Sequence, residues 1–302
     1  MTPHLWGIDL GGTKIEGALV DPGDPSRAAC RIRLATEAHL GYEHVVGRIA
    51  RVVADLEQTS GLKRPSVIGI GTPGATEPAA GTLKNSNSTC LNGRPLRDDL
   101  ERELGVGIRM ANDANCFALA EAAMGAARGV DVVMGLILGT GVGGGIVVGG
   151  RALDGLHGIA GEWGHNPIPG ESAPCYCGRA GCVETVIAGP SLERYYAGLS
   201  GRSLRLPEIA ARAESDPQAA ATLDRLRDKF GQAIAAVINI LDPGAIVIGG
   251  GVGNLDILYS EATREAVRTH LFNPELRTLI LKPELGDSAG VFGAALLARG
   301  AG

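Results

Sequence analysis

Residues 5–20 of the chain read LWGIDLGGTKIEGALV, two apolar runs separated by a short glycine turn. This pattern predicts a β-hairpin with strands over 5–10 and 15–20. A second stretch, residues 132–148 (VVMGLILGTGVGGGIVV), follows the same plan around a Gly-Thr-Gly turn at 139–141. The repeat predicts two related α/β domains that face each other, and two unrelated hairpins are the alternative.

The segments outside the hairpins alternate between strand-like and helix-like patterns. Short apolar runs predict strands over residues 66–71, 106–111 and 245–248. Helical spacing of apolar residues or runs of good helix formers predict helices over 45–56, 114–124, 219–241 and 288–299. Strands that alternate with helices are typical of α/β layers with a largely parallel sheet, to which the two hairpins add antiparallel pairs.

Composition narrows the class of protein. The chain has 302 residues, a length at which two domains are common. It carries 28 Lys and Arg against 33 Asp and Glu, a formal net charge of −5. Because nucleic-acid affinity comes largely from neutralisation of phosphates by basic side chains, this balance argues against a general nucleic-acid-binding surface. The 46 glycines and the 4% of aromatic residues favour tight turns and backbone contacts with a ligand.

Two features bear on location. Residues 1–10 lack the basic region, apolar stretch and cleavage site of an export signal, so we expect a cytoplasmic protein without membrane contact. Residues 132–150 form a long uncharged run, but glycines divide it, and we interpret it as two short strands rather than a membrane span.

Three glycine turns are candidate phosphate-binding sites. In residues 9–14 (DLGGTK), a carboxylate at a strand end is followed by backbone N–H groups that no Cβ screens. Residues 139–144 match the Gly-x-Gly-x-x-Gly string of dinucleotide sites, yet a strand follows instead of the required helix, so a second phosphate turn is the better interpretation. Residues 249–251 (GGG) offer a third close approach. At each position an ordinary turn is the alternative.

Asp113 joins a predicted strand to a predicted helix within residues 112–115 (NDAN). Such a residue is commonly the N-cap of the helix, and the segment alone favours that interpretation. The alternative is a general base, because ligands of α/β proteins bind beyond the carboxyl ends of the strands.

A histidine and three cysteines lie close together in the sequence: His165, Cys175, Cys177 and Cys182. Three thiolates and one imidazole complete the tetrahedral shell of a structural zinc ion. In a chain without an export signal such a cluster favours a metal site over disulfides. Free thiols with a redox or packing role are the alternative.

Four motifs in order along the chain resemble those of the ROK family (repressor, open reading frame, kinase). They are residues 9–14 (DLGGTK), 138–145 (LGTGVGGG), 161–165 (GEWGH) and 175–184 (CYCGRAGCVE). The resemblance extends over residues 5–297. It implies an actin-like ATPase (ribonuclease H-like) fold, α/β in class, with two domains around a cleft. The smaller domain would span 1–112 and be rejoined by 288–302, and the larger would span 113–287, with a zinc-binding loop at 165–184.

The resemblance also assigns roles to residues. It implies that Asp113 is the catalytic base of an ATP-dependent sugar kinase. The implied ATP-binding residues are Asp9, Gly11, Gly12, Thr13, Lys14, Gly139, Thr140, Gly141, Gly143, Gly250 and Gly251. The implied sugar-binding residues are Asn87, Asn112, Asp113, Glu162, His165 and Glu184, with one ring nitrogen of His165 on zinc and the other toward the sugar. ATP, Mg²⁺ with ATP, structural Zn²⁺ and a homodimer complete the implied set.

Within the family, residues 84–89 (KNSNST), 112–116 (NDANC) and 162–167 (EWGHNP) are most similar to the fructokinase branch. We therefore expect phosphorylation of the 6-hydroxyl of free fructose, with mannose or glucose weaker. The N-acetylglucosamine and N-acetylmannosamine kinase branch is the alternative. A catalytically silent sugar sensor is the alternative from another class. The presence of Asp9, Lys14 and Asp113 argues against it, because a sensor could lose these residues without losing sugar binding. Family repressors carry a DNA-binding helix-turn-helix before the first hairpin, and we expect none here because the first strand begins near Leu5.

Overall fold

The computed structural model of the protein describes residues 4–21 and 24–299. Within these residues the strands are β1 (Leu5–Leu10), β2 (Lys14–Asp21), β3 (Asp24–Ala35), β4 (Val67–Thr72), β5 (Ala75–Thr76), β6 (Leu83–Lys84), β7 (Gly107–Asn112), β8 (Val132–Leu138), β9 (Val142–Val148), β10 (Arg151–Ala152), β11 (Ala245–Gly249) and β12 (Leu279–Leu281). The α-helices are α1 (Tyr42–Ser60), α2 (Leu96–Leu104), α3 (Asp113–Met124), α4 (Glu184–Ile187), α5 (Gly189–Ser200), α6 (Leu206–Ala210), α7 (Pro217–Leu241), α8 (Gly250–Gly253), α9 (Glu261–Arg268) and α10 (Ala289–Leu297).

The first sheet contains the first hairpin and has the strand order β3-β2-β1-β4-β7. Strand β1 pairs antiparallel with β2 and parallel with β4, which in turn pairs parallel with β7. Glycines let α10 approach one face: a Cβ on Gly69 would lie 1.7 Å from Ala294 O. Helix α1 covers the other face, where a Cβ on Gly17 would lie 2.5 Å from Val52 Cγ1. The sheet is therefore buried on both faces, as expected of an α/β layer.

The second sheet contains the second hairpin and has the order β10-β9-β8-β11-β12. Taken in chain order, its strands occupy the same relative positions as those of the first sheet. The predicted internal repeat is thus confirmed at the level of strand order, and two unrelated hairpins are excluded. The buried residues of α7, among them Phe230 and Ile234, pack in the core beside this sheet, and the Phe230 ring contacts the Trp163 ring edge-on at 6.5 Å.

The chain divides into two compact units. One comprises residues 1–128, 145–160 and 284–302, and the other comprises 129–144 and 161–283. The sequence-based division at residue 112 instead assigned α3 to the larger domain. The difference has a packing cause, since α3 and α10 touch so closely that a Cβ on Gly293 would lie 1.8 Å from Cys116 O. As a division into functional domains, the boundary at residue 112 stays a prediction. Residues 1–3, 22–23 and 300–302, which that prediction included, lie outside the described residues.

The buried carboxylate of Glu121 fixes the end of α3. It accepts hydrogen bonds from the backbone N–H groups of Ala126 at 2.9 Å, Glu284 at 3.2 Å and Leu285 at 3.0 Å. A buried carboxylate needs such donors, because leaving it unpaired is costly. The helix that begins at Asp113 is thereby tied to the segment that leads into α10.

The uncharged run at 132–150 forms strands β8 and β9, as predicted. Among the residues that the structure describes, none of the helices combines the length and the apolar character that crossing a bilayer requires.

Candidate active site and metal centre

The first glycine turn joins β1 to β2 and is closed by hydrogen bonds to its own backbone. Gly11 N–H donates to Lys14 O at 2.9 Å, and the Thr36 hydroxyl donates to Gly11 O at 2.7 Å. Gly12 and Thr13 are exposed, and a Cβ on Gly12 would lie 3.8 Å from its nearest neighbouring atom. A side chain there would make only an ordinary van der Waals contact, so the exposed backbone of the turn is accessible, which is what a phosphate group needs in order to approach N–H donors.

The second glycine turn joins β8 to β9 and is closed in a similar way. Gly139 N–H donates to Gly141 O at 2.9 Å, and Gly139 O accepts from Gly189 N–H, also at 2.9 Å. A Cβ on Gly141 would lie 2.6 Å from Glu184 Oε2, which accepts a hydrogen bond from Val142 N–H at 2.9 Å. A glycine at position 141 thus leaves room for the carboxylate of Glu184, one of the predicted sugar ligands.

Valine substitutions in the two turns should therefore differ in their effects. Neither Gly12 nor Gly141 has a positive φ, so backbone strain is not the reason for glycine at either position. We expect Gly12→Val to raise the KM for ATP far more than the KM for sugar, because its side chain enters space that is otherwise open to phosphate. Gly141→Val should weaken both substrates, because it displaces Glu184. Steady-state kinetics with both substrates varied measures this. Equal weakening of both substrates by Gly12→Val in a folded protein would contradict a phosphate role for the first turn.

The third glycine run joins β11 to α8: Gly249 is the last residue of β11, and Gly250 and Gly251 begin α8. Gly250 has a φ of 85°, and a Cβ there would lie 2.3 Å from Leu138 O. Glycine at this position is thus required by the fold itself. Gly251 is exposed and has open space where a Cβ would be, so it could accommodate a ligand.

The junction of β7 and α3 places Asp113 at the start of a helix with its carboxylate largely uncommitted. Asn112 is the N-cap, since its Oδ1 accepts from Asn115 N–H at 2.7 Å. Asp113 is the first residue of the helix, and its Oδ1 accepts from Ala114 N–H at 2.7 Å. The interpretation of Asp113 as the N-cap is therefore wrong. The second carboxylate oxygen of Asp113, Oδ2, is left for other chemistry.

Two carboxylates of the first unit have raised pKa values. Burial raises the pKa of Asp113, although its side chain stays accessible to solvent. Burial, followed by the negative charges of Asp113 and Glu16, raises the pKa of Asp9 to about 6, and the ammonium of Lys14 opposes this shift. Carboxylates in such surroundings gain from a nearby cation or from a hydroxyl that donates a proton.

Asn87 lies in an exposed position of a loop that its neighbours hold in place. Ser86 N–H donates to Asn92 Oδ1 at 2.8 Å, and Asn92 Nδ2 donates back to Ser86 O at 3.0 Å. Asn85 has a φ of 58°, which gives the loop its sharp turn. The amide of Asn87 is thus carried on a fixed loop.

The four predicted metal ligands come together. The ligand atoms of His165, Cys175, Cys177 and Cys182 all lie within 4.8 Å of one another. Cys177 Sγ is 3.7 Å from Cys182 Sγ, and Cys175 Sγ is 3.5 Å from His165 Nδ1. A tetrahedral zinc ion with ordinary bond lengths requires about 3.8 Å between two sulfurs and about 3.5 Å between sulfur and nitrogen. The sulfur separation is too long for a disulfide, and both distances fit a metal-binding tetrahedron.

The charges of the thiols also fit a cation. The backbone N–H of Arg179 lowers the pKa of the Cys177 thiol, whereas burial raises the pKa of the Cys182 thiol. Thiols this close do not all ionise without a positive charge among them, and a divalent metal supplies that charge.

His165 is oriented by its second nitrogen. Nε2 lies 3.1 Å from the hydroxyl of Tyr176 and 3.9 Å from Glu162 Oε2, while Nδ1 faces the sulfurs. The Tyr176 ring meets the imidazole edge-on at 5.2 Å. Tyr176 was not among the predicted site residues, although an aromatic residue between two predicted cysteine ligands is a signal that the sequence offers. In the structure its side chain is mostly exposed.

The predicted residues divide between the two units. The first unit contains Asp9, Gly11, Gly12, Thr13, Lys14, Asn87, Asn112 and Asp113. The second contains Gly139, Thr140, Gly141, Gly143, Glu162, His165, Glu184, Gly250, Gly251 and the three cysteines of the metal cluster. Each unit therefore carries a glycine turn at an equivalent place in its sheet, and each carries polar residues suited to a sugar.

Comparison with known proteins places the chain. A sequence model of the ROK family matches residues 5–301. An N-acetyl-D-glucosamine kinase of Aliivibrio fischeri is 36% identical over 97% of this chain and 98% of its own length. A ROK hexokinase of Thermus thermophilus is 34% identical over 97% of both chains, with a TM-score of 0.87. A ROK family glucokinase of Streptomyces griseus, solved with glucose and AMPPNP, is 29% identical over 98% of this chain and 99% of its own, with a TM-score of 0.78.

These relatives are sugar kinases, and the structural likeness confirms the predicted actin-like ATPase fold. The chain belongs to the ROK family.

Proposed function

We propose that this protein transfers the γ-phosphate of ATP to the 6-hydroxyl of a free hexose, with N-acetyl-D-glucosamine as the favoured acceptor. The observation that carries the proposal is Asp113. Its carboxylate lies at the start of α3, just beyond the carboxyl end of the parallel strand β7. Asn112 is the N-cap of this helix, so Asp113 is not needed for capping. A base at such a position is what phosphoryl transfer to a hydroxyl requires.

Asp113 would accept the proton of the 6-hydroxyl and orient the oxygen for attack. Its raised pKa brings its proton affinity closer to that needed for this exchange than an ordinary aspartate has. Phosphoryl transfer has little covalent chemistry for the protein to perform, so catalysis comes mainly from positioning and electrostatics. Asn112 precedes Asp113 in the chain, and Asn87 lies on the loop that Ser86 and Asn92 hold in place. Their side-chain amides would exchange hydrogen bonds with the sugar hydroxyls.

The glycine turns and Asp9 would hold the triphosphate. The accessible backbone at Gly12 suits a phosphate oxygen, and Lys14 adds a cation at the end of the same turn. Mg²⁺ prefers a carboxylate together with phosphate oxygens, and the partly buried carboxylate of Asp9 fits that preference. When bound, the ion would offset the charge that develops on the phosphates.

Zinc would have a structural role in the second unit. Four protein ligands leave no open coordination position, so the ion would not act on substrate directly. It would fix the loop from Cys175 to Cys182, and the imidazole of His165 with it. Glu162, 3.9 Å from that imidazole, and Glu184, two residues after Cys182, would present carboxylates to the sugar.

Short motifs and whole-chain similarity favour different acceptor sugars. The motifs at 84–89, 112–116 and 162–167 predicted fructose, whereas similarity over the whole chain favours another sugar. The relatives at 36% identity, which cover 97% of this chain, are described as N-acetyl-D-glucosamine kinases. We therefore favour N-acetyl-D-glucosamine, the alternative of the sequence analysis, over fructose.

A panel of acceptors tests this choice. We expect the highest kcat/KM with N-acetyl-D-glucosamine, and lower values with N-acetylmannosamine, glucose, mannose and fructose. A site that hydrogen-bonds a given substituent rejects analogues that lack it, because its buried partners are left unpaired. A coupled ADP assay measures all five sugars. Highest efficiency with fructose would restore the first interpretation, and no turnover with any hexose would favour a silent sensor.

A further inference from the structure

A buried carboxylate beside the first turn has no role in the function described so far. Glu16 on β2 has only 1% of its side chain exposed. It is in register with Asp9 on β1 and with Arg33 on β3, so the three side chains share one face of the first sheet. Acidic residues are rarely buried unless they are paired.

Three cations surround Glu16. Arg33 donates to Glu16 Oε2 through Nε at 2.9 Å and through Nη2 at 2.5 Å. Arg31 Nε lies 2.8 Å from Oε1, but this contact is an ion pair without hydrogen-bond geometry, and Oε1 keeps an unfilled acceptor position. Lys14 Nζ lies 3.8 Å from Oε2, beyond hydrogen-bonding distance.

Further contacts fix the orientation of the two arginine side chains. Arg31 Nη2 donates to the Ser288 hydroxyl at 2.7 Å, and its guanidinium lies 5.7 Å from the centroid of the Phe292 ring. The two donors of Arg33 on one oxygen hold its plane in a single orientation. The Lys14 ammonium, in contrast, donates no hydrogen bond to any residue that the structure describes, and 42% of its side chain is exposed.

The charges explain why two arginines accompany one carboxylate. Glu16 alone would attract Lys14 and also cancel its charge. With Arg31 and Arg33 paired to the same carboxylate, the charge of Glu16 is compensated without Lys14, so the Lys14 ammonium keeps its own positive charge beside Gly11 and Gly12.

We propose that Glu16, held by Arg31 and Arg33, is a positioning residue for the phosphate donor: it keeps the Lys14 ammonium beside the first glycine turn, while the arginines compensate the charge of Glu16 so that Lys14 is not neutralised. This rests on the proposed kinase function, since it assigns the phosphate donor to that turn. Glu16 itself touches neither substrate.

The same cluster sets the charge around Asp9. The groups facing Asp9 are Lys14 and Glu16 from β2 and Asp113 and the Cys116 thiol from α3, whereas β4 and α10 present the glycines Gly71 and Gly290. Loss of the negative charge of Glu16 would lower the pKa of Asp9 below its present value of about 6. Loss of the positive charge of Arg33 would leave more of the negative charge of Glu16 uncompensated. The pKa of Asp9 would then rise.

Glu16→Gln and Arg33→Gln test the proposal through opposite shifts. If Asp9 must be ionised to hold Mg²⁺ and ATP, the acid limb of the pH profile moves to lower pH in Glu16→Gln and to higher pH in Arg33→Gln. Both variants should raise the KM for ATP by about tenfold, the size expected for a lost charge-assisted contact, and change the KM for sugar little. Arg51→Gln, which removes an exposed guanidinium from α1, is the matched control and should change neither.

Two further measurements separate the possible failures. Calorimetric titration of ATP without sugar gives the same comparison of affinities even if no hexose proves to be a substrate. Arg33→Lys, which keeps the charge, should recover part of the ATP affinity if the substitution to Gln acts through charge. Shifts of the acid limb in the same direction, or equal loss of affinity for ATP and sugar in folded variants, would overturn the proposal.

Discussion

We expect Asp113→Asn to abolish turnover and to leave sugar binding in place. The amide keeps the size of the carboxylate and its contact with Ala114 N–H, but it cannot accept the proton of the 6-hydroxyl. General-base catalysis contributes about 10²–10⁴-fold to rate, and more is lost if the same oxygen orients the hydroxyl. A coupled ADP assay measures kcat, and isothermal titration measures sugar affinity.

Asp154→Asn is the matched control for this substitution. Asp154 is another carboxylate of the first unit whose pKa is raised by burial, as for Asp9 and Asp113, and no catalytic or binding role is assigned to it. We expect its kcat to stay near that of the unaltered protein. An Asp113→Asn variant that keeps more than about a tenth of kcat would contradict the assignment of the base.

Cys177→Ser should remove the metal, lower the melting temperature by several degrees or more, and weaken sugar binding more than ATP binding. A hydroxyl in place of a thiolate breaks the tetrahedral donor set, and the binding free energy of a structural metal contributes directly to folding. Sugar binding should suffer first, because His165 is both a proposed metal ligand and a neighbour of Glu162. Elemental analysis of protein purified without a polyhistidine tag should find one zinc per chain.

Cys30→Ser is the control for the metal prediction. Cys30 lies on β3, outside the cluster, and is partly buried. Its replacement should leave the zinc content unchanged. A zinc-free preparation with full activity and an unchanged melting temperature would instead indicate that the cysteines have a redox or packing role.

The two glycine-turn hairpins are the sequence features that predicted most of the fold. Their turn residues are local signals, and the repeat between residues 5–20 and 132–148 anticipated the common strand order of the two sheets. The clustering of His165, Cys175, Cys177 and Cys182 could also be predicted from spacing and residue type, and the structure brings the four side chains together. That they bind zinc stays a prediction. The homodimer and the roles of the individual site residues stay predictions.

Other features depended on contacts between distant segments, which a sequence pattern does not reveal. The N-cap at the start of α3 is Asn112 and not Asp113, a difference of one residue that only the backbone geometry decides. Glycine at 141 leaves space for Glu184, which lies 43 positions further along the chain. Glu16 gave a weak signal, a charged residue within an apolar strand, but its partners Arg31 and Arg33 come from the next strand.

Transfer of phosphate to the sugar is the central claim, and analysis of the product tests it most directly. The unaltered protein would be incubated with Mg²⁺, ATP and N-acetyl-D-glucosamine, and the product examined by ³¹P and ¹³C NMR. The account predicts ADP and a sugar with the phosphate on carbon 6, both absent when Asp113→Asn replaces the unaltered protein. Binding of the sugar with no phosphorylated product, or phosphate on another hydroxyl, would contradict it.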